Sequence, residues 1–340
     1  MKDIPHILEN DQGFLVYIPC HDDFEMARQQ AISLRSQFLS LSKIYMSQIK
    51  KLSIIISVNG VELSSQQQGW LASACDELMY MPVNIGADSN IALGFFKALQ
   101  SHPEFFWLLS ANDRVADSAL EKVLQIFYSN PNCDLIIADN QTDSREFQVS
   151  NVLFNPLAGI HFGLISAVIY RSKNTIANFP SALKLNWTGW GQLAVIQTSC
   201  FTNGQLNIVS APGSSLYSRP EDGDIHRNEM FEHNARYYSH SFFGMPILIS
   251  ALYANDDTLR RKYVRSWVFS NWYRVHSFSS HKSNVSQTRI IDEAYWRQII
   301  AQDIVRGNGL ISWILYSLGK RISWEKFRHL NFAQAIKEHL

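Results

Sequence analysis

The 340-residue chain carries 30 Lys and Arg, 30 Asp and Glu, and 46% hydrophobic residues. This length and composition exclude a disordered chain and fit one large or two modest domains. No apolar run approaches the roughly 20 residues of a membrane-spanning helix, and the four cysteines form no CxxC pair. The amino terminus lacks the apolar core of a secretory signal, so we expect a cytoplasmic protein.

The charges are unevenly distributed along the chain. Residues 241–340 carry 14 Lys and Arg against 7 Asp and Glu, which leaves a net charge of −7 for the first 240 residues. A basic carboxyl-terminal region favours anionic surfaces such as phospholipid headgroups. A surface that only aids solubility is the alternative interpretation.

Short apolar runs alternate with amphipathic segments through the first half of the chain. Phe24, Ala27, Ala31 and Leu34, for example, fall on one helical face after the first run. The alternation predicts an α/β fold with a mostly parallel sheet flanked by helices. We predict an α/β domain over residues 12–225 and a helical extension over 226–340. The strands predicted in this alternating region are 14–19, 52–58, 78–81, 105–109 and 134–138, and residues 164–170 predict a further strand.

Polar residues follow four of the predicted strands. The carboxyl ends of parallel strands meet at one edge of a sheet, which is where open α/β sheets bind ligands. The four clusters should therefore converge on one cleft. They are His21 with Asp22, Asn59, Asn84 with Gly86, and Asn112 with Asp113.

Each cluster also has a purely structural interpretation. Asp22 could only cap a helix, and Asn84 with Gly86 could only shape a turn. Asp113 is the strongest candidate for a binding role, because it ends the central apolar strand. His161, in a Gly-containing stretch, could equally be a buried histidine. The polar, turn-rich stretch 218–226 predicts a surface loop.

The order of the motifs IPCHDD, SVNG, NIGADSN and WLLSAND resembles family-2 glycosyltransferases of the GT-A fold, over roughly residues 14–200. The last motif, followed by a small residue and a helix, is similar to the abequosyltransferase-like branch. The resemblance implies a Rossmann-like GT-A domain in which an acceptor hydroxyl attacks the anomeric carbon of a nucleotide sugar, with inversion.

The resemblance also assigns roles to residues. It implies that Asp113, with Asn112, occupies the metal or diphosphate position. Arg219 would meet the diphosphate, and Trp187 and Trp190 would stack on acceptor sugar rings. The catalytic base stays open among Asp224, His226 and His161, with Asp224 ranked first. The residues expected around the nucleotide base and ribose are Pro19, His21, Asp22, Asn59, Asn84 and Gly86.

The chain departs from the family pattern at three positions. Asn59 and Gln192 stand where the family usually has acidic residues, and Asp113 is the only carboxylate of its motif. One carboxylate beside an amide gives Mg²⁺ or Mn²⁺ few ligands, so a bound metal would need oxygens from the substrate phosphates. A catalytically inactive module that binds a glycan or a partner enzyme is therefore the alternative function. A nucleotidyltransferase would show a Gly-rich basic loop after the first strand, where this chain is acidic.

The family analogy predicts the setting of the reaction. We expect transfer to a glycan or a lipid-linked oligosaccharide in bacterial surface polysaccharide synthesis, such as O-antigen or capsule. The protein would work at the inner face of the cytoplasmic membrane, which its basic, Trp-rich carboxyl-terminal region would contact. We expect no nucleic-acid partner.

Overall fold

The computed structural model describes residues 11–139, 165–218, 235–271 and 300–319. Contacts divide these residues into two units. The first holds 11–139, 165–186 and 191–218, and the second holds 187–190, 235–271 and 300–319. The predicted domain boundary at residue 225 lies outside the described residues and stays a prediction.

The first unit is built on a seven-stranded sheet with the order β3-β2-β1-β4-β7-β6-β8. The strands of this sheet run parallel to one another except β7, which pairs antiparallel with β4 and β6. A separate antiparallel pair joins β5 to β9. The strands are β1 Asp11–Cys20, β2 Lys51–Asn59, β3 Glu77–Met81, β4 Pro103–Leu108, β5 Arg114–Val115, β6 Leu135–Asp139, β7 Val168–Arg171, β8 Ile208–Pro212 and β9 Tyr217–Ser218. The predicted α/β class with a mostly parallel sheet is confirmed.

Helices connect these strands. Their bounds in the first unit are α1 Phe24–Leu39, α2 Lys43–Met46, α3 Ser65–Ala72, α4 Ala87–Ser101, α5 Ala119–Ser129, α6 Ser172–Thr175, α7 Phe179–Ala182 and α8 Gly191–Asn203. Short 3₁₀ turns cover Ile165–Ala167, Ile176–Asn178, Leu183–Thr188 and Gly213–Ser215. The alternative interpretation of Asp22 as the cap of α1 is wrong. Asp23 is the capping residue, and its carboxylate accepts a hydrogen bond from the Met26 amide at 3.3 Å.

The core of the first unit lies on both sides of β1 and β4. Phe14 and Phe105 on these strands have no exposed surface. Burial on both faces explains why both strands read as continuous apolar runs rather than alternating ones. On one side of the sheet Phe105 stacks on Phe127 of α5, with ring centroids 4.3 Å apart. On the other side Phe95 of α4 stacks on Phe179 of α7 at 5.1 Å.

The described part of the second unit is helical, as the sequence predicts for this region. Its helices are α9 Ala235–Leu252, α10 Asp257–Asn271 and α11 Leu310–Gly319, and residues 300–307 are helical as well. Across the described ranges, no helix combines the length and the apolar character needed to cross a membrane.

Replacing Phe127 by Ala should remove about 3–5 kcal/mol of unfolding free energy, because a fully buried ring leaves a cavity beside Phe105. Urea denaturation followed by tryptophan fluorescence measures the change. Phe201→Ala is the control, since Phe201 is 52% exposed and should cost less than about 1 kcal/mol. Equal urea midpoints for the two variants would contradict the packing described for α5.

Candidate active site

The carboxyl ends of β1 and β2 meet directly. These strands are in register from Gly13 opposite Lys51 to Cys20 opposite Val58. The next residues on each strand are therefore neighbours, and the His21 Nδ1 atom lies 2.6 Å from the carbonyl oxygen of Asn59. His21 and Asp22 are both exposed there, while Pro19 is half-buried within β1. Burial raises the pKa of the Cys20 thiol to about 12, so it stays protonated beside them.

Asn59 uses its side-chain amide to hold the loop before α4. Its Oδ1 accepts a hydrogen bond from the Ile85 amide at 2.8 Å. Its Nδ2 lies 3.4 Å from both the Asn84 Oδ1 and the Gly86 carbonyl oxygen. Asn59 is 4% exposed, whereas Asn84 is exposed. Asn59 therefore shapes the rim of the site, and Asn84 is the amide that faces outward.

Gly60 is required for this arrangement. Its φ angle is +79°, in the left-handed region that side chains disfavour. A Cβ at this position would also lie 2.6 Å from the Cβ of Asn84. The glycine of the Asn-Gly pair at the end of β2 therefore allows the loops after β2 and β3 to lie close together.

A buried hydrogen-bond network joins Tyr17, Ser57 and Asn90. The hydroxyl groups of Tyr17 and Ser57 both donate to the Asn90 Oδ1 atom, at 2.9 and 2.6 Å. The Asn90 Nδ2 atom donates back to the Ser57 carbonyl at 3.3 Å. Burial raises the pKa of Tyr17, so its hydroxyl remains a donor. The network ties the first turn of α4 to β1 and β2, which fixes where α4 begins at the sheet edge.

The loop after β4 is held by the side chain of Gln30 on α1. The Gln30 Nε2 atom donates to the carbonyl oxygens of Ser110 at 2.9 Å and Ala111 at 3.0 Å, and also to that of Asp113. Gln30 is 2% exposed. Gln37, two turns further along α1, bonds the Ala116 carbonyl at 2.9 Å. Hydrogen bonds from α1 therefore hold the segment between β4 and α5 in place.

The carboxylate of Asp113 is 3% exposed and is held from a second direction. The Ser166 hydroxyl donates to the Asp113 Oδ2 atom at 2.5 Å and accepts from the Ser110 amide at 2.9 Å. The Trp107 indole in turn donates to the Ser166 carbonyl at 2.9 Å. The carboxylate is therefore fixed in orientation, while Asn112 beside it is exposed.

Sequence reasoning missed both Gln30 and Ser166. Gln30 falls within an amphipathic helix, where a glutamine reads as a solvent-facing residue. Ser166 precedes a strand and has no motif around it. Their partners lie 83 and 53 residues away in the sequence, so no local pattern could reveal them.

The segment after Asp113 pairs with β9. Arg114 and Val115 lie opposite Ser218 and Tyr217. The chain leaves β9 at Ser218, next to the residue that follows Asp113. Four of the predicted site residues lie outside the described residues, and their roles stay predictions. They are His161, Arg219, Asp224 and His226.

The two tryptophans predicted to bind the acceptor belong to the second unit. Trp187 is 42% exposed and offers an open ring face. Trp190 is 6% exposed, and its ring lies edge-on to Trp267 with centroids 6.0 Å apart. In this arrangement Trp190 packs within its own unit, so Trp187 is the better of the two candidates.

Within the described ranges, no three His, Cys, Asp or Glu side chains group closely enough to hold a metal ion. Asp113 supplies one carboxylate, and Ser166 already engages one of its oxygens. This donor set fits a Mg²⁺ or Mn²⁺ ion only if substrate phosphates supply most of the ligands, which is the usual arrangement for Mg²⁺.

Three solved structures resemble the chain, each over 93% of its length and 91% of theirs. S. aureus TarS 1–349 aligns with a TM-score of 0.53 at 12% identity. The same protein in complex with UDP gives 0.51 at 10% identity, and in complex with UDP-GlcNAc 0.50 at 11%. No family model and no curated protein matches the sequence. The chain has the GT-A fold that its resemblance implies.

Replacing Gln30 by Ala should lower the unfolding free energy by about 2–3 kcal/mol, because buried carbonyl groups lose their donor. Chemical denaturation measures this loss of unfolding free energy. Gln29→Ala is the matched control on the same helix, since Gln29 is exposed and bonds only Glu25 in the described contacts. If both variants unfold at the same midpoint, Gln30 does not hold the loop.

Proposed function

We propose that this protein is a glycosyltransferase that moves a sugar from a nucleotide-sugar donor to a glycan or lipid-linked acceptor. The observation that carries the proposal is a fixed carboxylate, Asp113, at the carboxyl end of the central strand of a GT-A fold. Ligands of open α/β sheets bind at this edge. The resemblance to TarS, whose solved structures include complexes with UDP and UDP-GlcNAc, supports a nucleotide sugar as the donor.

In this proposal the acceptor oxygen attacks the anomeric carbon of the donor, and the bond from that carbon to the diphosphate breaks. The diphosphate leaves with the electron pair, and the anomeric configuration inverts. A base takes the hydroxyl proton from the attacking oxygen, with Asp224 ahead of His226 and His161. Holding the two substrates in line and stabilising the departing charge supply most of the acceleration.

Asp113 and Asn112 would occupy the diphosphate end of the donor. A bound Mg²⁺ or Mn²⁺ ion would supply positive charge for the leaving diphosphate. Ser166 keeps the carboxylate of Asp113 in one orientation, so binding of the donor would carry little further cost for ordering that side chain. Arg219, which follows Ser218 of β9, is the proposed cationic partner of the diphosphate.

The nucleoside end of the donor would lie along the ends of β1 and β2. His21, Asp22 and Asn84 are exposed there and offer hydrogen-bonding groups. Asn59 and Gly86 would contribute by shaping the rim, because the Asn59 amide is occupied by the loop. Pro19 would help to set the turn after β1.

The acceptor side of the proposal involves an exposed tryptophan and the membrane. Trp187 could stack on a sugar ring of the acceptor through its exposed face. By analogy with the abequosyltransferase-like branch, the product would be a bacterial surface polysaccharide such as O-antigen or capsule. The reaction would take place in the cytoplasm at the inner membrane face, with the basic carboxyl-terminal region in contact with lipid.

An inactive module that binds a glycan or a partner enzyme is the second candidate. The observation that favours it is the loss of acidic groups. Gln192 stands at the family's acidic position and is 4% exposed within α8, and Asn59 is likewise an amide. Catalytic turnover separates the two functions.

Asp113→Asn should lower kcat/KM by about 10²–10³-fold, because the variant keeps the shape of the side chain and loses the negative charge that would hold a metal ion at the diphosphate. Release of nucleoside diphosphate from UDP-, GDP-, CDP- and dTDP-sugars with Mn²⁺ measures the activity. The control is Asp117→Asn, an exposed carboxylate four residues further on, which should remain as active as the wild type. Full activity in Asp113→Asn would refute its role, and a wild type that binds glycan without turnover would indicate the inactive module.

One nucleoside diphosphate among UDP, GDP, CDP and dTDP should raise the melting temperature. A ligand at 100 times its Kd adds about 2.7 kcal/mol to the native state. Asp22→Ala should reduce the shift, whereas Glu25→Ala, an exposed carboxylate in the first turn of α1, should not. No shift with any of the four, with or without Mn²⁺, would argue against a nucleotide site.

A further inference from the structure

The segment between α1 and β2 exposes apolar side chains beside lysines. Leu39 is 76% exposed and Ile44 is 70% exposed, and Met46 is exposed as well. We define the α1–α2 patch as these three side chains together with the three exposed lysines of the same segment, which are Lys43, Lys50 and Lys51.

The exposure of the patch follows from how the segment is attached. Ile49 is fully buried, and Tyr45, one helical turn earlier, stacks on Tyr128 of α5 with ring centroids 6.2 Å apart. These two residues face the body of the unit. Ile44 and Met46 flank Tyr45 in α2, and both are exposed. The segment therefore packs through Tyr45 and Ile49 and leaves the three apolar side chains of the patch exposed to water. Exposed apolar side chains grouped in one short segment are a feature of interaction sites.

The charged residues around this segment are all basic. Between residues 26 and 61 the sequence has five Lys or Arg and no Asp or Glu, within a first 240 residues whose net charge is −7. Arg35 is paired with Asp76 at 3.2 Å. The lysines of the patch are exposed, and the described ion pairs include none of them. Cations around exposed apolar side chains match a surface that offers both negative charge and hydrocarbon.

We propose that the α1–α2 patch docks on a membrane surface that contains anionic phospholipids. Leu39, Ile44 and Met46 would enter the boundary between headgroups and acyl chains, and the lysines would contact the phosphates. A symmetric dimer through the same face would bring the lysines of both copies together, which disfavours a second copy as the occupant.

The patch lies at the edge of the sheet opposite to the candidate active site. The segment leads into the amino end of β2 at Lys51, whereas His21 and Asn59 follow the carboxyl ends of β1 and β2. Docking here leaves the carboxyl edge uncovered by lipid. The proposal is also separate from membrane contact through the carboxyl-terminal region, and it does not depend on the proposed activity.

Co-sedimentation of the full-length protein with vesicles tests the proposal. Vesicles of 30% phosphatidylglycerol in phosphatidylcholine should bind the protein, and pure phosphatidylcholine should bind it at least tenfold less. Leu39→Ser with Ile44→Ser should weaken binding about tenfold, from the lost apolar contact. Lys43→Gln with Lys50→Gln should weaken it about 25-fold, from about fivefold per lysine. Raising the salt concentration should weaken the wild type.

Matched controls come from exposed residues elsewhere in the first unit. Leu183→Ser tests an exposed apolar residue outside the patch, and Lys173→Gln with Lys184→Gln removes two other exposed lysines. All controls should bind as the wild type does. Equal binding by patch and control variants, or no binding by the wild type, would overturn the proposal. A wild type that self-associates in sedimentation velocity while Leu39→Ser with Ile44→Ser stays monomeric would also overturn it, in favour of a second copy.

Discussion

The candidate active site depends on one buried amide, that of Gln30. A single NH₂ group on α1 bonds three carbonyl groups of the loop after β4, in the interior of the first unit. Carbonyl groups in such a place are costly to leave without donors. These bonds stabilise the observed path of the loop, in which Asp113 follows the end of the central strand. Ser166 then fixes the carboxylate itself. The site is thus organised by contacts between elements far apart in the sequence.

The sheet could be predicted because its signals are local. Apolar runs buried on both faces identify parallel strands, and polar residues at their ends follow from the topology of such sheets. Strand β7 shows the limit of this reasoning. Its sequence predicts a strand, but its antiparallel direction is set by its neighbours β4 and β6. The cap of α1 differs by one residue, at Asp23 instead of Asp22, because two adjacent aspartates give the same local signal.

Some residues of the candidate site can be recognised from the local sequence, whereas others matter only through contacts between distant segments. Asp113 could be predicted from its position after a buried strand. Gln30 and Ser166 could not, because their hydrogen bonds are formed only when distant segments pack. Asn59 is the last residue of β2, and its predicted role in binding a nucleotide stays a prediction. Its amide holds the loop before α4, whereas His21, Asp22 and Asn84 are exposed at the same edge of the sheet.

The most direct test of this account is a double-mutant cycle between Ser166 and Asp113, in which calorimetry measures binding of the nucleoside diphosphate with the highest affinity in the presence of Mn²⁺. If Ser166 acts by orienting the Asp113 carboxylate, Ser166→Ala should weaken binding in the wild-type background and have no further effect on Asp113→Asn. Fully additive losses would mean that the two residues act independently. A wild type that binds none of the nucleotides would contradict the account as a whole.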